Sequence, residues 1–159
     1  MTLAVRPAVA GDVPTILRFV RELADYEREP DAVVATEPML ADALFGPAPA
    51  AEAVIAERDG REVGFALFFH NFSTWEGRRG LYLEDLYVTP DARGSGAGKA
   101  LLRHLASLAV ARDCARFEWA VLDWNAPAIA FYDAVGALSM DEWTVRRVTG
   151  DALVRLAGA

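Results

Sequence analysis

Leu81-Tyr82-Leu83-Glu84-Asp85-Leu86-Tyr87-Val88-Thr89-Pro90 leads through Asp91 and Ala92 into Arg93-Gly94-Ser95-Gly96-Ala97-Gly98-Lys99. The first part reads as a strand, Leu81 to Val88, ended at Thr89-Pro90. The second is a glycine loop, in which three glycines in five residues let the backbone turn tightly and approach a ligand. Lys99 to Arg112 then repeats apolar residues at helical spacing, with Leu101, Leu105 and Leu108 on one side and Leu102 and Ala109 beside them. A strand, a glycine loop and an amphipathic helix in that order make an anion site. The helix start offers unpaired N–H groups and the positive end of its dipole, and Arg93 and Lys99 add charge suited to a pyrophosphate.

Outward from this passage the chain alternates in the same way. Leu3 to Arg6 predicts a strand. Asp12 and Pro14 open a helix carrying Ile16, Phe19, Val20 and Leu23 on one face. Thr36-Glu37-Pro38 starts a second helix, stopped by Gly46-Pro47. Ala53 to Arg58 and Glu62 to Phe69 flank Asp59-Gly60, a two-residue hairpin turn. Ala115 to Val121 predicts a strand with Phe117, Trp119 and Val121 facing one way. Asn125-Ala126-Pro127 starts a short helix that ends at Gly136, and Trp143 to Val148 predicts a last strand. Strand runs joined by a few crossover helices indicate one α/β domain over residues 1–159, with helices flanking a mixed central sheet.

Composition bounds the function. The chain has 159 residues, 23 acids against 16 bases and a net charge of −7. That balance argues against nucleic-acid binding, which needs clustered Lys and Arg, and suits a cationic partner. The single cysteine, Cys114, has no internal disulfide partner, which fits a reducing compartment and a packing role. With no signal-peptide pattern and no apolar run of bilayer length, the expected setting is cytoplasmic and away from membranes. His70 and His104 have no cysteine near them, so no metal site is expected.

The glycine loop excludes two familiar nucleotide motifs. A P-loop needs Gly at the position of Arg93 and Ser or Thr at that of Ala100. A dinucleotide fingerprint needs its third Gly at the position of Lys99 and belongs to the first βα turn, whereas this loop comes late in the chain. The pattern Arg93-x-x-Gly96-x-Gly98, preceded by Leu83 to Pro90, resembles the pyrophosphate arm of the GNAT N-acetyltransferases. Arg6-Pro7-Ala8 with Asp12 is similar to that family's opening. Asn125 to Tyr132 with Gly136-Ala137 is similar to its C-terminal motif. Glu22 to Glu27, Leu81 to Asp85 and Ala120 to Asn125 resemble its diamine (spermidine/spermine) and thialysine acetyltransferase subgroup, so the likeness covers most of the chain.

The resemblance implies a GNAT fold and transfer of an acetyl group from acetyl-CoA to a small cationic amine. The cosubstrate would be held by the backbone of Leu86, Tyr87 and Val88, by Arg93, Gly94, Ser95, Gly96, Ala97, Gly98 and Lys99, and by Asn125 and Tyr132. Such a transfer needs a deprotonated amine, a donor for the oxyanion and a proton for the departing thiolate. By resemblance the Val88 N–H is the oxyanion donor and Tyr132 the general acid beside the sulfur. Glu84 binds the ammonium or takes its proton through water. Tyr26, Glu27, Glu118, Trp119 and Glu142 line the amine pocket, and Trp75 sits where it can close over it. The family also implies a homodimer built from the C-terminal half. Asp133 and Ala134 depart from the basic residues that diamine enzymes carry there. Other amines, such as an antibiotic or a protein N-terminus, remain open, as do a non-catalytic acetyl-CoA-binding module and a nucleotide-binding protein.

Overall fold

The computed structural model describes residues 1–159. The chain resolves into two compact units, Met1–Ala120 and Val121–Ala159. The first contains strands β1 (Leu3–Pro7), β2 (Glu52–Arg58), β3 (Arg61–Ser73), β4 (Arg78–Val88) and β5 (Phe117–Glu118), with helices α1 (Val13–Tyr26), α2 (Glu37–Phe45) and α3 (Ala97–Ala111). The second contains α4 (Ala126–Ala134) and α5 (Gly150–Leu156).

The five strands form one mixed sheet in chain order: β1 to β4 are antiparallel and β5 runs parallel to β4. Asp59 and Gly60 join β2 to β3 with φ of 53° and 79°. Both values lie in the left-handed region that a primed two-residue turn requires. Helices α1 and α2 pack on one face, where Ile16, Phe19 and Leu44 meet Ala53, Ile55, Phe65 and Tyr87. Helix α3 contacts β1 to β4 with its buried Leu101, Leu102 and Leu105. Full burial of side chains such as Phe19, Phe65 and Leu101 contributes roughly 1.5–3 kcal/mol each. The start of α1 is tied to the sheet by Arg6. Its guanidinium binds both oxygens of Asp12, at 2.7 and 3.0 Å, and Glu57 at 2.6 Å. Asp12 therefore accepts from Arg6 and from the Val9 N–H instead of capping α1 with its side chain.

Two sequence expectations are corrected, and one unexpected helix is added. The strand expected over Ala115 to Val121 shrinks to Phe117–Glu118, because pairing with β4 covers only Leu81 and Tyr82. The strand expected over Trp143 to Val148 does not form. No neighbouring edge bonds to it, and Trp143 and Val145 are exposed; β-propensity alone does not hold an unpaired segment extended. Helix α5, which the sequence pattern does not predict, follows it.

Candidate active site

The site is organised by a bulge in β4. Leu67 pairs with Asp85 and the next residue, Phe68, pairs with Leu83, so Glu84 is the extra residue. An inserted residue reverses which face each later side chain takes. Leu81 and Leu83 share the face of Phe68, whereas Asp85 and Tyr87 share the face of Leu67 and Phe65, against α1. The same shift redirects the backbone. Before the bulge the Leu81 N–H donates to Arg116 on the β5 side. After it the Thr89 N–H donates to Val63 of β3, which leaves the N–H groups of Leu86 and Val88 on the opposite, open side. From Leu83 onward that edge pairs with no strand.

The bulge also sets the acids. Asp85 is half-buried, and its carboxyl is pushed up to about 6, first by burial and then by the negative charges of Glu84 and Glu27. Burial likewise raises Glu27, at the end of α1. Glu84 is exposed. Tyr82 is raised by burial and by Glu84 and Glu118. Glu118 is half-buried and accepts from Asn71 Nδ2 at 3.4 Å, and the Trp119 ring meets Phe117 with centroids 4.9 Å apart. Glu27, Glu84 and Asp85 thus form an acidic lining along β4, with Glu118 on the neighbouring strand. Asp85 carries a shift that the sequence does not assign to it. Side-chain alternation separates the two acids but does not say which one turns inward, because a bulge is invisible to it.

The glycine loop ends in a helix start as expected. Gly94 and Gly96 have φ of 78° and 91°, with Gly96 at the N-cap of α3. A β-carbon at position 96 would find open space, so the requirement there is backbone conformation, not clearance. The Ser95 hydroxyl is buried in the loop without a hydrogen-bond partner, a group that an incoming phosphate oxygen would satisfy. Lys99 and Arg103 stand exposed on the first turns of α3. The loop, this orphaned hydroxyl and the open N–H groups of Leu86 and Val88 fit an extended, phosphate-bearing cosubstrate. Arg93 departs from expectation. Its guanidinium lies over the rings of Tyr26 (5.1 Å) and Tyr87 (5.8 Å), and its Nε donates to the Val88 carbonyl. Its side chain therefore packs on the α1 face and does not extend over the glycine loop.

In the second unit, Asn125 is buried and its side chain accepts from the Ala128 N–H, capping α4. Tyr132 is half-buried on α4, with its ring tilted against Phe131 at 5.5 Å. Glu142 is exposed in an irregular stretch, and Trp75 of the first unit is 82% exposed on the β3–β4 turn. No helix is long and apolar enough to cross a membrane.

Residues 18–137 match the Acetyltransferase (GNAT) family, a span that covers parts of both units. The chain belongs to that family and is an N-acetyltransferase. It is 38% identical to the thialysine N-epsilon-acetyltransferase of Bos taurus, over 97% of this chain and 96% of that one. It is 31% identical to an L-ornithine N5-acetyltransferase of Arabidopsis thaliana, over 94% and 85%. Among solved structures, an integron cassette protein from the mobile metagenome of V. cholerae aligns with a TM-score of 0.82 and 28% identity, covering 100% of this chain and 99% of that one.

Proposed function

We propose that the two units act as one domain that transfers the acetyl group of acetyl-CoA directly to a small cationic amine of polyamine or thialysine/lysine type, in the cytoplasm and as a homodimer. The observation that carries this reading is the half-buried Asp85, raised to about 6 among Glu84 and Glu27. A carboxyl with that affinity is charged at neutral pH and is a better proton acceptor than an ordinary aspartate. Acetyl-CoA supplies the activated thioester carbonyl. Residues 93–99 hold its pyrophosphate, and the open N–H groups of Leu86 and Val88 hold its pantetheine arm, with Val88 aimed at the thioester oxygen. Asn125 adds a contact while capping α4.

Tyr26, Glu27, Glu84, Glu118, Trp119 and Glu142 bind the amine. Glu84 faces its ammonium, and Asp85 accepts its proton directly or through water. Tyr132 Oη gives a proton to the departing sulfur. The acids favour a cationic acceptor, and the names of the bovine and Arabidopsis relatives support an amine carried on an amino acid. Thiol release from acetyl-CoA, measured with spermidine, thialysine, lysine and simple diamines, tests the reading. Turnover with at least one is expected, and tight CoA binding without turnover on any would overturn it. Tyr132→Phe should lower kcat about 10²-fold or more while CoA affinity stays within about twofold; an unchanged rate removes Tyr132 from the chemistry.

A further inference from the structure

The end of α1 carries two of the proposed acceptor-site residues, Tyr26 and Glu27, and it closes under strain. The Arg28 N–H donates to the Asp25 carbonyl at 3.1 Å and the Glu29 N–H to the Ala24 carbonyl at 2.9 Å. This double closure puts one residue in the left-handed region, a place that glycine usually takes. Here that residue is Arg28, at φ 66°, a conformation that costs an L side chain energy. A helix end under such strain is the part of α1 that opens most readily. Facing it over a groove of about 560 Å³ is the turn that leads from β4 into the glycine loop. Glu22, Asp25 and Tyr26 of α1 and Thr89, Pro90 and Asp91 of the turn are among the groove's lining. Arg93 spans the groove. Its Nε donates to the Val88 carbonyl at 3.1 Å, and its guanidinium lies 5.1 Å from the centre of the Tyr26 ring. The turn itself is braced from the β2–β3 hairpin, where Arg61 pairs with the Asp91 carboxylate and Arg58 Nη1 donates to the Asp91 carbonyl at 3.3 Å.

We infer that Arg93 is a positioning residue that couples the two substrate sites, linking the order of the cosubstrate loop to closure of the acceptor end of α1. The inference rests on the acetyl-transfer reading for the identity of the two ligands. Cosubstrate that orders residues 93–99 fixes the backbone of residue 93. The guanidinium, tied to Val88, is then held against Tyr26, and cation–π attraction keeps the last turn of α1 closed. The acceptor pocket is therefore complete only when the loop is ordered. By linkage the effect runs both ways: an acceptor that holds Tyr26 and Glu27 in place tightens cosubstrate binding by the same factor. Arg93 does this through Tyr26 and without touching the reacting atoms.

The test is hydrogen–deuterium exchange of the whole protein with and without saturating CoA. The reporters are the amides of Glu27, Arg28 and Glu29, which bond within the end of α1 and lie outside the glycine loop. In the unaltered protein CoA should slow their exchange about fivefold or more, the lower end of couplings between sites. Arg93→Gln and Tyr26→Leu should each abolish that slowing. Tyr26→Phe keeps the ring and should retain it. A purely structural role for either residue would instead speed exchange equally with and without CoA, and that result would overturn the inference. So would an unaltered protein whose residues 27–29 ignore CoA, or full slowing in Tyr26→Leu. The Tyr26 variants decide the matter if Arg93→Gln does not fold. CoA-dependent slowing that the variants lose, without acetylation of any amine, leaves the coupling standing and removes acetyl transfer. Acetylation of spermidine or thialysine without that slowing does the reverse, and failure of CoA to bind overturns both.

Discussion

As the proposed proton acceptor, Asp85 would serve catalysis at a cost in stability. A raised carboxyl holds its proton more tightly in the folded than in the unfolded chain. The folded state is therefore favoured while Asp85 stays protonated, and that advantage disappears as pH rises from the ordinary value of 3.8 through about 6. Above 6 the buried charge destabilises the fold by up to about 3 kcal/mol, the equivalent of two pKa units. Asp85→Asn should thus raise the midpoint of urea unfolding at pH 8, leave it nearly unchanged at pH 4, and lower kcat/KM about 10²-fold or more. The unaltered enzyme should show an acid limb in kcat/KM near pH 6. Glu27→Gln removes one of the charges that hold Asp85 up, so it should move that limb to lower pH. A limb that stays in place would separate Glu27 from Asp85. The sequence displayed both acids, Glu84 and Asp85, but not the choice between them, because the bulge that gives Asp85 its half-buried position leaves no mark in residue type.

At the scale of elements, the loop into α3 depends on one left-handed residue. Gly96 caps the helix at φ 91°, and an alanine there costs about 1–2 kcal/mol of backbone strain. Gly96→Ala should weaken acetyl-CoA binding about tenfold by calorimetry while far-UV circular dichroism stays native. Equal affinity would mean that the anion site does not need this conformation. This loop, the helix after it and the Asp59-Gly60 hairpin were legible because their signals are local: turn residues with positive φ, and apolar residues at one period. Elements whose form depends on distant partners were not. Trp119 to Val121 has strand-forming residues, but the β4–β5 pairing stops at Glu118. Trp143 to Val148 pairs with no strand, and α5 begins at Gly150 without a signal in the pattern. Arg93 is an intermediate case: its type fits a phosphate, and only the positions of Tyr26 and Tyr87 turn its side chain to the other face.

At the scale of the molecule, Val121–Ala159 is rich in uncovered apolar side chains. Leu138, Trp143, Val145 and Leu156 are each more than two-thirds exposed, and no residue of α4 or α5 is buried. Isolated exposed apolar residues are ordinary, but so many in one short stretch point to association. Light scattering should give about twice the chain mass of 17.3 kDa, and Val145→Asp should shift the protein toward monomer. A monomer at high micromolar concentration would count against the dimer.

The free side of β4 bears on handling as well as on chemistry. A strand that offers a row of unsatisfied N–H and C=O groups is a template for any other extended chain. The bulge and the acids blunt that tendency without abolishing it, so bound cosubstrate should act as a plug. Protein kept with CoA should stay clear in solution during prolonged warming, whereas the same preparation without it should grow turbid sooner.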